Sequence, residues 1–167
     1  MDANAENLRE AGRRAAVKPA RGGLPNARFG VLALDDAPGA LLGLADELTV
    51  ILPWGTLLAA IASARPDGLQ RLAAVCKPGA RVRLLFGYGA SADATAIAAH
   101  ALPESAEPAF GPQLASRYRA AGFAVSARPV SVEEVRAVPS TWAKKLAFSG
   151  KPRSFWELAG AFRAGYT

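Results

Sequence analysis

The sequence has very few of the side chains that bind metals or form disulfide bonds. Its 167 residues include one cysteine, Cys76, and one histidine, His100. A single thiol excludes a disulfide bond within the chain, and one Cys with one His is short of the ligands that a zinc site needs. Cys76 follows the apolar residues 72–75, which predicts a buried structural thiol. Catalysis by a bound metal is therefore not expected.

Long apolar runs are also absent, although 51% of the residues are hydrophobic. No run reaches the roughly 18 residues that predict a membrane-spanning helix. The opening residues, Met1 to Arg14, are acidic and basic and contain no apolar segment of the kind found in secretory signals. We therefore expect a cytoplasmic protein. The length suits a single domain, residues 1–167, with a substantial core, and we expect it to be a monomer.

Positive charge is the most informative feature of the composition. The 20 Lys and Arg residues outnumber the 14 Asp and Glu residues, which leaves a net charge of +6 and a pI near 10.0. Such a balance suits a polyanionic partner. An Arg-rich and Ala-rich composition is also typical of genomes with high GC content, so position matters more than the total. The basic residues collect at 13–14, 18–21 and 144–153.

The hydrophobic pattern predicts alternating strands and helices. Helices are expected at 4–17, 56–64, 67–76, 113–121 and 131–138, and strands at 27–34, 47–52, 80–87, 123–129 and 154–162. Gly22 and Gly23 are interpreted as a mobile linker, and 87–112 as an insertion with one weak helix. The strand at 47–52 is apolar on both faces, which is typical of a parallel strand covered by helices. The alternation predicts a parallel α/β sheet, to which the last two strands add an antiparallel edge.

Four separated motifs, in this order along the chain, resemble one enzyme family. They are Glu6-Asn7-Leu8, the nine residues KPARGGLPN at 18–26, the seven residues LPWGTLL at 52–58, and WAKKLAF at 142–148. Together they resemble the aminoglycoside-resistance methyltransferases of the KamB and NpmA type. Those enzymes methylate N1 of the decoding-site adenine 1408 of 16S rRNA.

The resemblance implies a class I, Rossmann-like methyltransferase sheet that uses S-adenosyl-L-methionine and acts on 16S rRNA in the small ribosomal subunit. The chemistry agrees with the side chains present. Adenine N1 already has a lone pair and the sulfonium already activates the methyl group, so no general base is needed. Catalysis is then mostly orientation of an extruded base.

The resemblance assigns the base pocket to aromatic residues. Trp54 and Trp142 are expected to sandwich the flipped adenine, and Pro53 to shape the rim of the pocket. The alternative is that both tryptophans are ordinary core residues. For Trp54 the sequence leaves both readings open, whereas Ser140 and Lys144 beside Trp142 favour an exposed indole. Trp156, inside an alternating strand, is expected to pack in the core or at an edge.

The resemblance also implies cofactor contacts. Asp2 is expected to accept hydrogen bonds from the ribose hydroxyls, Leu34 and Asp35 to lie near the cofactor adenine, and Thr56 to touch the cofactor. A strand-terminal carboxylate plays the ribose-binding part in Rossmann-like sheets generally. Asp35 is equally compatible with a plain turn residue, and Thr56 with the start of a helix.

RNA docking is expected to use cations around the pocket, since rRNA phosphates attract them. The residues that the resemblance implies for this contact are Arg13, Arg14, Lys18, Arg21, Ser140, Lys144, Lys145, Lys151 and Arg153. For any one of them the alternative is a position on a solvated basic surface.

One feature of the family pattern does not occur in the sequence. A strand with a glycine loop of the form Asp-x-Gly-x-Gly-x-Gly would precede Asp2. Without that strand, 47–52 is expected to lie at a sheet edge that lacks one neighbour, and loss of activity through truncation is left open. The rival hypotheses are an RNA-binding or ribosome-binding remnant without cofactor, a small-molecule methyltransferase, and a noncatalytic α/β protein.

Overall fold

A computed structural model describes residues 4–33, 39–104 and 112–165. The chain divides into two compact units, Met1–Gly39 and Ala40–Thr167. The expected cofactor residues Asp2, Leu34 and Asp35 lie outside the described residues. Within the described residues, no helix is both long enough and apolar enough to cross a membrane.

The first unit begins with helix α1, Ala5–Ala15. The Asn4 side chain caps it by accepting a hydrogen bond from the Glu6 N–H at 3.0 Å. Glu6 in the first turn and two arginines in the last turn suit the helix dipole. The helix was predicted from the apolar spacing at 4–17, and this prediction is confirmed.

The glycine pair after α1 is a hydrogen-bonded turn, so the prediction of a mobile linker was wrong. A 3₁₀ helix, Pro19–Arg21, comes first. The Gly23 N–H then donates to the Lys18 carbonyl at 3.2 Å, and Gly22 has a φ of 85°. A Cβ on Gly23 would lie 1.6 Å from the Val17 carbonyl oxygen. The two glycines thus provide a left-handed turn and a close backbone approach, not flexibility.

The strand predicted at 27–34 is not a regular strand over its described part. Residues 27–33 are irregular except for a single bridge residue, Val31. The Arg28 guanidinium donates to the Pro25 and Ala27 carbonyls at 2.8 and 3.0 Å. These local bonds occupy backbone acceptors just where the strand was expected to begin.

The second unit is built on a four-stranded sheet in the order β1-β2-β4-β3. Its strands are β1 (Ala45–Ile51), β2 (Cys76–Tyr88), β3 (Phe123–Val130) and β4 (Ser154–Phe162). β1 and β2 are parallel, and β4 is antiparallel to both β2 and β3. This confirms the predicted parallel sheet with antiparallel strands added from the C-terminal part of the chain.

Six helices belong to the described part of this unit, and a short 3₁₀ turn lies at its start. They are the 3₁₀ helix Gly39–Leu41, α2 (Gly55–Ala62), α3 (Pro66–Val75), α4 (Ala94–His100), α5 (Pro112–Ala120), α6 (Val132–Ala137) and α7 (Thr141–Ala147). The predicted capping box of α6 is present, with Ser131 and Glu134 bonded in both directions at 3.1 and 2.8 Å. Helix α7 was not predicted, because only Ala143 and Leu146 of its seven residues are buried.

Burial is uneven across the sheet. Residues 84–88 of β2 are buried in succession, which requires cover on both faces. In β1, by contrast, Leu48 is the only buried residue, so the expectation of a strand covered on both faces was wrong for β1. β1 lies at one edge of the described sheet, and edge strands bury less of their side chains.

Cys76 is a buried thiol, as predicted. Its Sγ donates to the Leu72 carbonyl at 3.3 Å, and burial raises the pKa of the thiol. We expect 5,5′-dithiobis(2-nitrobenzoate) to label Cys76 only as fast as the protein unfolds. The labelling rate and the unfolding rate should therefore rise together with urea concentration. Rapid labelling of the folded protein would contradict the buried placement.

Candidate functional site

The loop at the carboxyl end of β1 is the centre of the site. Leu52 follows the strand with a φ of 48°, which is unusual for a residue other than glycine. Its N–H donates to the Leu85 carbonyl of β2 at 2.7 Å, and its side chain is buried. Gly55, with a φ of 62°, then begins α2. Open parallel sheets bind ligands at this edge, where the strands end.

Trp54 lies in this loop with 43% of its surface exposed. The core alternative for Trp54 is therefore excluded. The indole lines an open groove of about 450 Å³ together with residues of the 91–100 segment, namely Ser91, Ala92, Asp93, Ala94, Thr95, Ala96, Ala99 and His100. Most of these side chains are small, so a flat group can approach the Trp54 ring. Pro53 beside it is partly buried.

Trp142 reaches the same loop from helix α7. Its Nε1–H donates to the Leu52 carbonyl at 3.1 Å, and 40% of the residue is exposed. The Lys145 ammonium lies 5.8 Å from the centre of the indole ring. The structure thus brings the two predicted tryptophans to one loop and leaves an exposed surface on each.

A hydrophobic cluster beneath the loop holds Trp142 in place. It joins the end of β1 to β2, β3, β4, α6 and α7 through the buried residues Leu52, Leu85, Val130, Val135, Ala143, Leu146 and Phe155. Helix α7 alone would be too short to be stable. Its position is therefore set by packing, and the position of the Trp142 indole follows from it.

The start of α2 is the described feature that best suits a cofactor. Its N-cap residue, Trp54, provides no side-chain hydrogen bond, and Thr56 is exposed in the first turn. The backbone N–H groups of a first turn have no partner within the helix and attract negatively charged or polar groups. These residues are compatible with a nucleotide-like cofactor bound at the carboxyl edge of the sheet.

The predicted RNA-binding residues of the first unit are all exposed. Arg13 and Arg14 form ion pairs with Glu10 at 2.9 and 2.7 Å. Hydrogen bonds from both guanidinium groups lower the pKa of Glu10 to about 2. Exposed ion pairs of this kind are weak, so phosphates can compete for the two arginines. Lys18 and Arg21, in the turn that follows, are exposed as well.

The predicted RNA-binding residues of the second unit have different environments. Lys144, Lys145 and Lys151 are exposed. Ser140 caps α7, since its Oγ accepts a hydrogen bond from the Ala143 N–H at 3.3 Å. The Arg153 side chain is 7% exposed and is paired with Asp93 at 2.7 Å. The Asp93 carboxylate neutralises this guanidinium, and the phosphate contact of Arg153 stays a prediction.

Asp93 was not anticipated from the sequence. Burial raises the pKa of Asp93, but hydrogen bonds from Arg153 and the Gly89 N–H outweigh it and leave the pKa below its usual value. The carboxylate is thus held in its charged form. A single acidic residue among the small side chains of 89–99 gives no pattern from which this role could be read.

The chain is similar throughout its length to one family of RNA-modifying enzymes. The model of the NpmA family, 16S rRNA (adenine(1408)-N(1))-methyltransferase, matches residues 1–161. The chain belongs to this family. An Escherichia coli 16S rRNA (adenine(1408)-N(1))-methyltransferase is 32% identical over 165 residues, which are 96% of this chain and 74% of the relative.

Solved structures of this methyltransferase family share the fold. The 16S rRNA methyltransferase KamB has a TM-score of 0.73 at 29% identity, covering 97% of this chain and 74% of that chain. A variant of the family enzyme from Catenulisporales acidiphilia, solved with the cosubstrate SAM, has a TM-score of 0.70 at 32% identity. That match covers 95% of this chain and 71% of the other. The expected class I methyltransferase fold is thereby confirmed.

Proposed function

We propose that the protein transfers a methyl group from S-adenosyl-L-methionine to N1 of adenine 1408 in 16S rRNA and so confers aminoglycoside resistance. The observation that carries this proposal is the bond from the Trp142 Nε1–H to the Leu52 carbonyl. It brings a second exposed indole to the loop of Trp54, at the edge of the sheet where ligands bind. The name of the matching family supplies the proposed substrate, 16S rRNA, and the proposed methylated atom, N1 of adenine 1408.

The site acts by holding the base. An extruded adenine stacks on the exposed indoles of Trp54 and Trp142, and the rim at Pro53 limits how the ring can slide. When bound, the cofactor supplies a methyl group that its sulfonium already activates. Because N1 attacks through its own lone pair, the protein needs to fix the ring in line with that methyl group and to remove no proton.

For the cofactor, we propose the start of α2 with Thr56 as a contact. Asp2 as the ribose ligand, and Leu34 and Asp35 beside the cofactor adenine, stay predictions because the three residues lie outside the described part.

For the rRNA, we propose phosphate contacts from the exposed cations of both units, which are Arg13, Arg14, Lys18, Arg21, Lys144, Lys145 and Lys151. Ser140 and Arg153 are engaged within the protein, and their contacts with rRNA stay predictions. We further propose that the protein is a cytoplasmic monomer acting on the small ribosomal subunit.

The direct test is methylation of purified small ribosomal subunits with radiolabelled S-adenosyl-L-methionine. A methyl group on N1 blocks the pairing edge of adenine, so reverse transcription should stop next to adenine 1408. Label in rRNA together with this stop supports the proposal. Subunit binding without methyl transfer would instead indicate an RNA-binding remnant, and cofactor binding with no rRNA product would indicate a small-molecule methyltransferase.

The contribution of the cations in α7 and in the segment after it can be measured from the salt dependence of subunit binding. Changing Lys144, Lys145 and Lys151 together to Gln should reduce the slope of log affinity against log salt by about 2 to 3, roughly one for each phosphate that is no longer neutralised. Fluorescence anisotropy with labelled subunits at several salt concentrations provides the slope.

Arg81→Gln is the matched control for this triple substitution. Arg81, in the first half of β2, is exposed and paired with Glu47 near the start of β1, away from the strand ends that carry the site. The control should leave the slope within experimental error. A slope that the lysine substitutions do not change would remove α7 and the segment after it from the docking surface.

A further inference from the structure

Methyl transfer changes the charge of the base that the site holds. N1 forms its bond to the methyl carbon with its own lone pair, and the bond from that carbon to sulfur breaks with its electron pair left on sulfur. The adenine loses no proton in this step, so its ring gains the positive charge that the sulfur gives up. The site therefore receives a neutral base and has to release a cationic one.

Exposed indoles favour the cationic base. The face of an indole ring is electron-rich and attracts a cation more strongly than it attracts a neutral ring. Trp54 and Trp142 are 43% and 40% exposed. A base that stacks on these rings is thus held more tightly after methylation than before it, unless another charge opposes the cation.

The groove beside Trp54 adds little attraction for a cation. Among the described residues that line this groove, Asp93 is the acidic one. Both of its carboxylate oxygens accept hydrogen bonds from Arg153, from Nε at 2.8 Å and from Nη2 at 2.7 Å. Because the guanidinium neutralises this carboxylate, the charge that distinguishes the two forms of the base has to lie elsewhere.

Lys145 places a positive charge beside the second indole. Its ammonium lies 5.8 Å from the centre of the Trp142 ring, within the range of about 6 Å over which a cation and an aromatic ring interact. Lys145 follows Trp142 by three positions in α7, so the two side chains share one face of the helix. The bond from the Trp142 Nε1–H to the Leu52 carbonyl at 3.1 Å holds the ring beside this charge.

Two cations at one ring oppose each other. Like charges within about 10 Å repel each other measurably at a protein surface, and more strongly where a docked partner excludes water. A neutral adenine on Trp142 experiences little of this repulsion. The Lys145 ammonium therefore acts on the methylated base and hardly on the unmethylated one.

We propose that Lys145 is a product-release residue, whose ammonium at the Trp142 ring lowers the affinity for subunits methylated at adenine 1408 relative to unmethylated subunits. This inference rests on the proposed function. A phosphate contact of the same lysine would strengthen the binding of both kinds of subunit equally, so the two roles are separable.

The test compares the dissociation constants of methylated and unmethylated small subunits, measured by fluorescence anisotropy at one salt concentration. Methylated subunits are isolated from bacteria that carry an active adenine-1408 methyltransferase of the same family. In Lys145→Gln the ratio of the two constants should shift about 3- to 10-fold in favour of methylated subunits. Lys145→Arg keeps a cation that can lie over the ring, and its ratio should stay within about twofold of the wild-type ratio.

Lys144→Gln is the matched control, since it removes the same charge from an exposed neighbour in α7. Lys144 follows Trp142 by two positions and so does not share its face of the helix. The control should weaken the binding of both kinds of subunit by the same factor and leave their ratio within about twofold of the wild-type value.

Two outcomes would overturn the product-release role. An equal loss of affinity for both kinds of subunit in Lys145→Gln would make Lys145 a phosphate ligand only. An equal shift of the ratio in Lys144→Gln would show that the net charge of α7, and not the contact at the Trp142 ring, separates substrate from product.

Failure of the proposed function is recognised separately, as absent methylation of unmethylated subunits by the wild-type protein. The two dissociation constants do not depend on that activity, because another enzyme supplies the methylated subunits. A second measurement uses the methylated subunits as inhibitors of methyl transfer. They should inhibit Lys145→Gln at about 3- to 10-fold lower concentration, relative to KM, than they inhibit the wild-type protein, and equal inhibition would contradict the proposal.

Discussion

Replacing Trp142 with alanine is expected to lower methylation of adenine 1408 about 10- to 100-fold. Stacking of a base on an aromatic ring contributes about 1 to 3 kcal/mol, and each 1.4 kcal/mol is a factor of ten in rate. The measurement is the initial rate of methyl transfer to small subunits at saturating cofactor. Trp142→Phe keeps an aromatic surface and should retain most of the rate.

Stability should change little in Trp142→Ala. The residue is 40% exposed, and the main bond removed is the one to the Leu52 carbonyl, which contributes about 1 kcal/mol. Phe148→Ala is the control, since Phe148 is an aromatic residue 68% exposed just after the same helix. It should leave the rate unchanged. An unfolded Trp142→Ala protein, or one with normal activity, would refute the stacking role.

Replacing Leu52 with alanine is expected to destabilise the protein by about 2 to 4 kcal/mol. Its buried side chain belongs to the cluster that joins β1 to α6 and α7, so truncation leaves a cavity. The left-handed backbone at Leu52 offers no compensation, because alanine adopts a φ of 48° no more readily than leucine does. Urea denaturation followed by circular dichroism measures the change in the free energy of unfolding.

The activity of Leu52→Ala should fall as well, since the carbonyl that receives the Trp142 bond moves with the loop. Leu42→Ala is the matched control, because Leu42 is exposed and its truncation leaves no cavity. Its free energy of unfolding should stay within about 0.5 kcal/mol of the wild-type value. Equal destabilisation of the two variants would show that the cluster beneath the loop contributes little.

Local patterns in the sequence were enough to predict most of the strands and helices of the second unit. The strand at 154–162 was predicted with the bounds of β4, and the capping box at Ser131 and Glu134 forms as expected. In these segments periodicity and capping report interactions between residues close in sequence. Helix α7 was not predicted, because its stability comes from packing against strands that are distant in the sequence.

Local patterns do not report contacts with other segments, and this explains the errors in the first unit. Two adjacent glycines suggested flexibility, but Gly23 is there because the Val17 carbonyl leaves no room for a Cβ. The apolar run at 27–34 suggested a strand, yet a strand also needs neighbours, which a single segment cannot reveal. For Gly23 the deciding contact was made by Val17, a residue outside the glycine pair.

The sequence by itself determined the family and the α/β class, and it predicted the two tryptophans that we propose for the base site, because motifs and periodicity depend on residues that are close together in the sequence. Only the tertiary structure decided that Trp142 bonds to the Leu52 carbonyl and that Arg153 is paired with Asp93. Sixty positions separate Arg153 from Asp93. Contacts across such distances depend on how the sheet and helices pack, and no local pattern encodes them.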